Sequence, residues 1–266
     1  MRDGLPSTEK PGVVWGVIPS RRDSRRLPGK AILPVNGEPM IHYTFQAALA
    51  CDCLDRCLVY SDDPGVLALA CDAGIELPPV DRPPHISGDA STTDDTLRAL
   101  LNVYPRKHWP DTLVLLQPTS PLRVAADIES ALAIYAGNAC DAVVSVHRPA
   151  KPLSWTYWRL AGELLPAFAE DIDLVMPNGA VYVGSTARLM AGEPLVSGRV
   201  LAHEMPWHAS VDVDTLEDLL IAETLLRARG VTGMPLPGRT GLAGRYQTGK
   251  TRFKSVPDPG AVPPAG

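Results

Sequence analysis

The chain has 266 residues, 45% of them hydrophobic and 21% charged, with a formal net charge of −5. That length holds one large domain or two small ones, and the acidic balance argues against a nucleic-acid binder, whose footprint would be basic. No apolar run approaches the roughly 20 residues that span a bilayer, and 1–12 is polar with no apolar stretch of the signal-peptide kind, so the expectation is a cytoplasmic protein with no membrane contact.

The first element is an apolar run at 13–18, which suits a buried parallel strand. It passes within two residues into a loop with Ser20, Arg21, Arg22, Ser24, Arg25, Arg26 and Lys30. Two readings are open for this loop: a solvated basic turn, or a seat for a polyanion in which N–H groups and Ser24 donate while Arg21, Arg25 and Lys30 supply charge. Apolar residues at helical spacing (Met40, Ile41, Phe45, Ala48, Leu49) predict a helix over 40–53, followed by a strand at 56–60. Ser61-Asp62-Asp63-Pro64 is a capping cluster for a helix over 65–73, with Gly74 as its stop. This alternation signals an α/β sheet. Cys51, Cys53 and Cys57 are clustered, but Cys71 and Cys140 are isolated and offer no second ligand pair, so the five cysteines read as free thiols rather than a metal site.

Residues 78–93 form a long irregular stretch with four prolines, Arg82 and Asp89. Ser91 or Thr92 would cap a helix over 93–103, and a helix start is itself hospitable to anions. A buried strand at 111–116 leads into Gln117-Pro118-Thr119-Ser120-Pro121-Leu122-Arg123, where two prolines hold Gln117, Thr119 and Ser120 rigid at a strand's C-terminal end. A helix over 124–136 and a strand over 141–146 follow. Trp155, Tyr157 and Trp158 make an aromatic cluster that either packs on its own domain or faces a partner. Pro177-Asn178-Gly179 is a turn feeding a strand, with Gly179 permitting close backbone approach. After a short strand at 200–206, Ser210-Val211-Asp212-Val213-Asp214 places two carboxylates on one face by strand alternation. Unpaired they would repel, which favours a shared hard cation such as Mg²⁺. Thr215 caps a helix over 216–229, with Asp218 in its first turn. Residues 230–266 read as a flexible Gly- and Pro-rich tail.

The run Ile18-Pro19-Ser20-Arg21 through Ser24-Arg25 to Leu27-Pro28-Gly29-Lys30 resembles the signature loop of the cytidylyltransferases that make CMP-activated sialic acids, and relatives in that family activate phosphonates with CMP. The likeness continues in register to about Arg229, through Val59-Tyr60-Ser61-Asp62-Asp63, Gln117-Pro118-Thr119-Ser120-Pro121-Leu122-Arg123, Pro177-Asn178-Gly179-Ala180 and Ser210-Val211-Asp212-Val213-Asp214-Thr215. The resemblance implies a Rossmann-like α/β nucleotidyltransferase fold with a twisted, mostly parallel sheet and helices on both faces. It implies one catalytic domain over 13–229, an arm and acceptor region within 147–207, and a homodimer formed through that arm. It further implies that Ser20, Arg21, Ser24, Arg25, Lys30, Arg82, Asp89 and Thr92 hold CTP. Gln117, Thr119, Ser120, Arg123, Lys151 and Asn178 would hold a small acidic acceptor, and Asp212 and Asp214 would hold Mg²⁺; Arg21, Lys30, Gln117 and Asp214 would carry the chemistry.

The chain departs from the family pattern at four places. Ala31 stands where relatives have Asn near the base, which leaves CTP open against other nucleotides. The segment around Arg148 and Lys151 is altered, 155–175 is short, and 192–196 lacks the phenylalanine pair that holds an N-acyl group. These leave a phosphonate and a sialic-acid-like nonulosonic acid as alternative acceptors. A nucleotide-binding regulatory protein without turnover is the reading from another class.

Overall fold

The computed structural model describes residues 12–23, 26–88, 91–167 and 173–230; Ser24, Arg25, Asp89 and the tail beyond 230 lie outside them. In chain order the elements are β1 (Val14–Ser20), β2 (Pro34–Val35), β3 (Glu38–Pro39), α1 (Met40–Leu49), β4 (Arg56–Ser61), α2 (Pro64–Ala73), α3 (Thr93–Asn102), β5 (Thr112–Leu115) and α4 (Ala125–Gly137). There follow β6 (Ala142–His147), β7 (Tyr157–Leu160), β8 (Glu163–Pro166), β9 (Met176–Ser185), α5 (Thr186–Met190), β10 (Val200–Glu204) and α6 (Leu216–Ala228).

The central sheet runs β10-β6-β9-β5-β1-β4. β1 is parallel to both β4 and β5, and β10 is parallel to β6. The exception is β9, inserted antiparallel between β5 and β6, so the sheet is mixed although mostly parallel. Its strands are apolar on both faces because helices cover both. Val14, Ile18, Val59, Val114 and Val181 pack with Ile41, Phe45, Val66 and Ile128 on one side. The alternate residues Trp15, Val17, Leu58, Tyr60, Leu113 and Leu115 pack with Leu97, Leu100, Leu101 and Leu189 on the other. A smaller cluster of Leu27, Val35, Met40, Leu122, Val213 and Leu226 seats α6 under the loop that follows β1.

The expected helix over 40–53 ends at Leu49, where the Ala50 N–H closes back on Gln46 and the Cys51 N–H on Ala48. Gly74 does stop α2, in the left-handed region at φ 76°. The five cysteines are free, and burial pushes the Cys51 thiol up to about 11 and Cys57 up to about 12. Two expectations fail. Pro177, Asn178 and Gly179 are not a turn that feeds a strand but part of β9 itself. Residues 211–214 are not a strand; they run as extended chain tied by the Val213 N–H to the Thr119 carbonyl at 2.8 Å.

From β1 the chain passes to β4 on one side and later to β5 on the other. Their carboxyl ends therefore splay apart at a topological switch point, where an α/β sheet opens a crevice. The arm is a separate hairpin of β7 and β8. Its side chains stand in solvent, with Trp155 65% and Trp158 67% exposed. Of the two readings of that cluster, packing on its own domain is therefore not what the fold shows.

The sheet's weak point is Gly184 on β9, where an added Cβ would lie 2.6 Å from the Leu195 carbonyl oxygen. Because the obstacle is backbone, Gly184→Ala is expected to cost about 1–3 kcal/mol. Thermal unfolding should show a midpoint lower by roughly 2–4 °C per kcal/mol. An unchanged midpoint would mean that β9 and the 192–196 segment are looser than this packing indicates.

Candidate active site

The loops that leave β1 and β5 line a cleft of about 720 Å³ at the switch point. Pro19, Ser20, Arg21, Arg26, Lys30 and Ala31 form one wall, and Gln117, Pro118 and Thr119 face them. Arg82, Thr92, Thr93, Thr96, Asp212 and Asp214 complete the lining of the cleft. Four cations and two carboxylates thus share one opening in a protein of net negative charge.

Local sequence explains how each group is held. Gly29 sits at φ 64°, a conformation that costs an L side chain but not glycine, and turns the chain into the short 3-10 segment that carries Lys30 and Ala31. The Arg22 N–H donates to Asp62 at 2.8 Å, tying the loop back to the end of β4. Lys30 Nζ donates to Asp214 Oδ1 at 2.8 Å, and Arg26 Nη2 meets Asp214 Oδ2 at 2.8 Å. Asp214 is therefore paired on both oxygens, contrary to the expectation of two unpaired, repelling carboxylates. Its main chain is held by Asp218, whose Oδ2 accepts from the N–H groups of Asp214 and Thr215 and from the Thr215 hydroxyl. Partial burial pushes the Asp218 carboxyl up, but these donors outweigh it and hold it below the usual range.

Asp212 differs. Burial raises its carboxyl above the usual range and the Asp214 charge adds to that, while the Thr119 hydroxyl, Lys30 and Arg26 pull the other way. The alternation expected of a strand survives without one: Val213 is fully buried between the two carboxylates, so both point to the cleft. Arg82 is buried and donates through Nε and Nη2 to the Ile86 carbonyl; burial lowers its pKa. Thr92 caps α3 in a capping box with Asp95, and the cleft lies against that helix start.

The structure gathers Ser20, Arg21, Lys30, Arg82, Thr92, Gln117, Thr119, Asp212 and Asp214 at the cleft. Ser120 is buried just behind Gln117, with its hydroxyl unpartnered among the described residues. Three expected acceptor contacts are elsewhere. Asn178 is consumed internally: its Oδ1 accepts from Ser145 and from the Ala180 N–H, and its Nδ2 donates to Ser210 and Met205. Arg123 is buried and donates to main-chain carbonyls. Lys151 stands on the arm with Nζ 5.5 Å from the centre of the Trp155 ring, and Arg148 is paired with Glu204 and Asp173. Residues 192–196 do not line the cleft, so their lack of phenylalanine says nothing about its walls. Arg26 was missed; its only signal was being a fourth arginine in the same loop.

The family model described as Cytidylyltransferase matches residues 15–154. An N-acylneuraminate cytidylyltransferase of Streptococcus agalactiae serotype V is 30% identical over 215 residues, 77% of this chain and 51% of that protein. The chain thus spans about half the length of the streptococcal relatives it matches. A CMP-N,N'-diacetyllegionaminic acid synthase of Legionella pneumophila is 28% identical over 226 residues, 80% of this chain and 96% of its own. The solved structure of CMP:2-keto-3-deoxy-manno-octonic acid synthetase complexed with CTP superposes with a TM-score of 0.62 over 82% of this chain and 99% of that one, at 21% identity. That likeness shows the shared Rossmann-like nucleotidyltransferase fold.

Asp212 yields a pH prediction. Its folded pKa is raised, so the native state holds the proton more tightly, and stability falls as pH rises from the ordinary carboxylate range through the folded value. Asp212→Asn is therefore expected to raise the unfolding midpoint at pH 7 without added metal, and to leave it unchanged at pH 3. A midpoint lowered at pH 7 would show that Asp212 is a stabilising partner in the fold.

Proposed function

Because the chain belongs to the cytidylyltransferase family, we propose that it transfers CMP from CTP to an acidic acceptor with release of pyrophosphate. The observation that carries this reading is the triad of Lys30, Asp214 and Arg26 beside Arg21 and Arg82 in one cleft. These cations suit a triphosphate, and no protein nucleophile is required. An acceptor oxygen attacks the α-phosphorus. The new P–O bond forms as the bond to the bridging oxygen breaks, its electron pair leaves with pyrophosphate, and the acceptor's proton passes to solvent.

Asp212 and Asp214 supply an all-oxygen donor set on the cleft wall, which fits Mg²⁺ completed by phosphate oxygens. Bound there, the ion would polarise the phosphate and neutralise charge on the leaving group. Lys30 and Arg26, which meet Asp214 on the cleft wall, are the cations placed to reach the phosphates.

A nonulosonic acid is the acceptor best supported. The relatives named above are an N-acylneuraminate cytidylyltransferase and a diacetyllegionaminic acid synthase. The cations expected to neutralise a phosphonate (Arg123, Lys151, Arg148) are buried or engaged outside the cleft. A phosphonocarboxylate is the second reading, supported by four cations around one cleft. The exposed Trp155, Tyr157, Trp158, Leu160 and Leu164, concentrated on one short solvated stretch, favour a homodimer, since aromatic side chains are enriched where partners meet.

Pyrophosphate release should be measured with CTP, UTP, GTP and ATP against N-acetylneuraminate and a set of small phosphonocarboxylates. Release with CTP and the sialic acid is expected. Release with phosphonates alone would select the second acceptor, and none with any acid would favour a nucleotide-binding regulator. Arg21→Ala and Lys30→Ala each remove a charge-assisted contact worth roughly 1.5–3 kcal/mol, so CTP affinity should fall by about 10- to 100-fold by calorimetry. Asp214→Asn should lower turnover sharply at saturating Mg²⁺. Wild-type affinity and rate in all three variants would remove the cleft from the mechanism. Trp158→Glu should shift the protein to monomer in sedimentation at micromolar concentration; an unchanged species would place any dimer contact elsewhere.

A further inference from the structure

β5 and β9 part company at the cleft. Their antiparallel ladder pairs Thr112 with Ser185 and ends at Leu115 with Tyr182. Continued by two residues, that register would set Gln117 opposite Ala180, but Pro118 follows and the strands fork. Arg123 occupies this fork. Its side chain comes from the far end of the Gln117 loop, and Nη1 donates to the Gln117 carbonyl at 3.1 Å and to the Ala180 carbonyl at 2.6 Å. One nitrogen thus stands in for the ladder where the ladder has ended.

The fork is built at a cost. Arg123 is 2% exposed, and its Nε and Nη2 have no partner among the described residues. Burial pulls the guanidinium down to about 10. A buried cation with unpaired donors is a poor source of stability, and an apolar side chain of similar volume often does as well. What Arg123 alone provides is a simultaneous grip on two carbonyls, those of Gln117 and of Ala180, which lies 57 residues beyond Arg123 itself.

The segment of the first carbonyl lines the cleft through Gln117, Pro118 and Thr119, and that of the second packs directly behind it. Gly179, next to Ala180, lies at φ 78° and packs so closely that an added Cβ would sit 2.8 Å from Gln117 Oε1, 3.5 Å from Ser120 Oγ and 3.6 Å from Asp212 Cγ. The gap between the Gln117 side chain and Asp212 is therefore set by how far β5 and β9 stand apart. The hydrogen bonds of Arg123 go to these two carbonyls, whereas Lys30 is paired with Asp214 and Arg82 with the Ile86 carbonyl.

We propose that Arg123 is a positioning residue rather than an acceptor contact: by bridging the Gln117 and Ala180 carbonyls it holds the fork at one width and so fixes Gln117 against Asp212. The proposal rests on the cytidylyl-transfer reading only for its kinetic arm. In that arm, pyrophosphate release is measured with CTP, Mg²⁺ and N-acetylneuraminate or phosphonoacetate. Arg123→Met should lower kcat by about 100-fold, the cost of a misplacement near 1 Å, with CTP affinity by calorimetry and the unfolding midpoint close to wild type. Arg123→Lys, which can hold one carbonyl, should recover part of kcat. Gly179→Ala should imitate the loss from the β9 side, and its combination with Arg123→Met should be less than additive. A fall in CTP affinity or unfolding midpoint parallel to kcat would make Arg123 a merely structural residue, and an unaltered kcat would overturn the proposal.

If the wild-type protein turns over neither acid, the acceptor reading has failed and amide hydrogen exchange decides the proposal. Loss of protection in Arg123→Lys confined to 116–120 and 178–182 supports it. Uniform loss across the sheet, or no change, overturns it.

Discussion

Lys30 and Asp214 are 184 residues apart in the chain and 2.8 Å apart in the fold. The contact is half-buried, with Lys30 the more enclosed partner. Removing either charge from water is costly, and the attraction offsets that cost only when geometry holds both groups in place. Much of the molecule supplies that geometry. Gly29 turns the loop that presents Lys30, the Thr215–Asp218 capping box anchors the main chain of Asp214, and buried Val213 pins the segment between them. The ion pair is thus the closing contact between the first strand's loop and the last helix, and it runs along the wall of the cleft.

The sheet gives that pair something to guard. Two parallel strands feed loops toward the same end, and an open α/β sheet binds ligands where such loops diverge. The antiparallel β9 adds a feature that a wholly parallel sheet lacks. It arrives at the cleft by its amino-terminal part, so Asn178 and Gly179, which lie within β9 beside its irregular pairing with β6, pack against the exit of β5. One part of the lining is then cationic, and behind Gln117 the packing is small, polar and close. The division follows from topology: the cations come from the β1 side, and Gln117, Ser120 and Gly179 come from the β5–β9 fork.

The buried polar groups behind the fork are spent on holding it. Asn178 is tied to Ser145, Ser210 and Met205, and Arg123 to two carbonyls. Both residue types would read as ligand contacts on an exposed loop. Here their burial makes an unmet hydrogen bond expensive, which is why the fold satisfies most of them internally. The arm is the opposite case, with large apolar side chains left in solvent.

The amino-acid sequence by itself determined the order of elements, the two-sided burial of the strands, and the loops that carry chemistry. All of these rest on patterns within a few residues: apolar runs, capping clusters, prolines beside polar groups. The likeness from Ile18 to Arg229 was also legible, because motif letters survive in register whatever the packing. Only the tertiary structure decided which side chain meets which. It chose Arg26 to share Asp214 with Lys30, turned β9 antiparallel, replaced an expected strand at 211–214 with a single tethered segment, and withdrew Asn178, Arg123 and Lys151 from the cleft. The reason is the range of the forces involved. Hydrogen bonds and ion pairs act over about 3 Å, and the decisive partners here, such as Lys30 with Asp214 and Arg123 with Ala180, lie 184 and 57 residues apart, where no local pattern carries information about them.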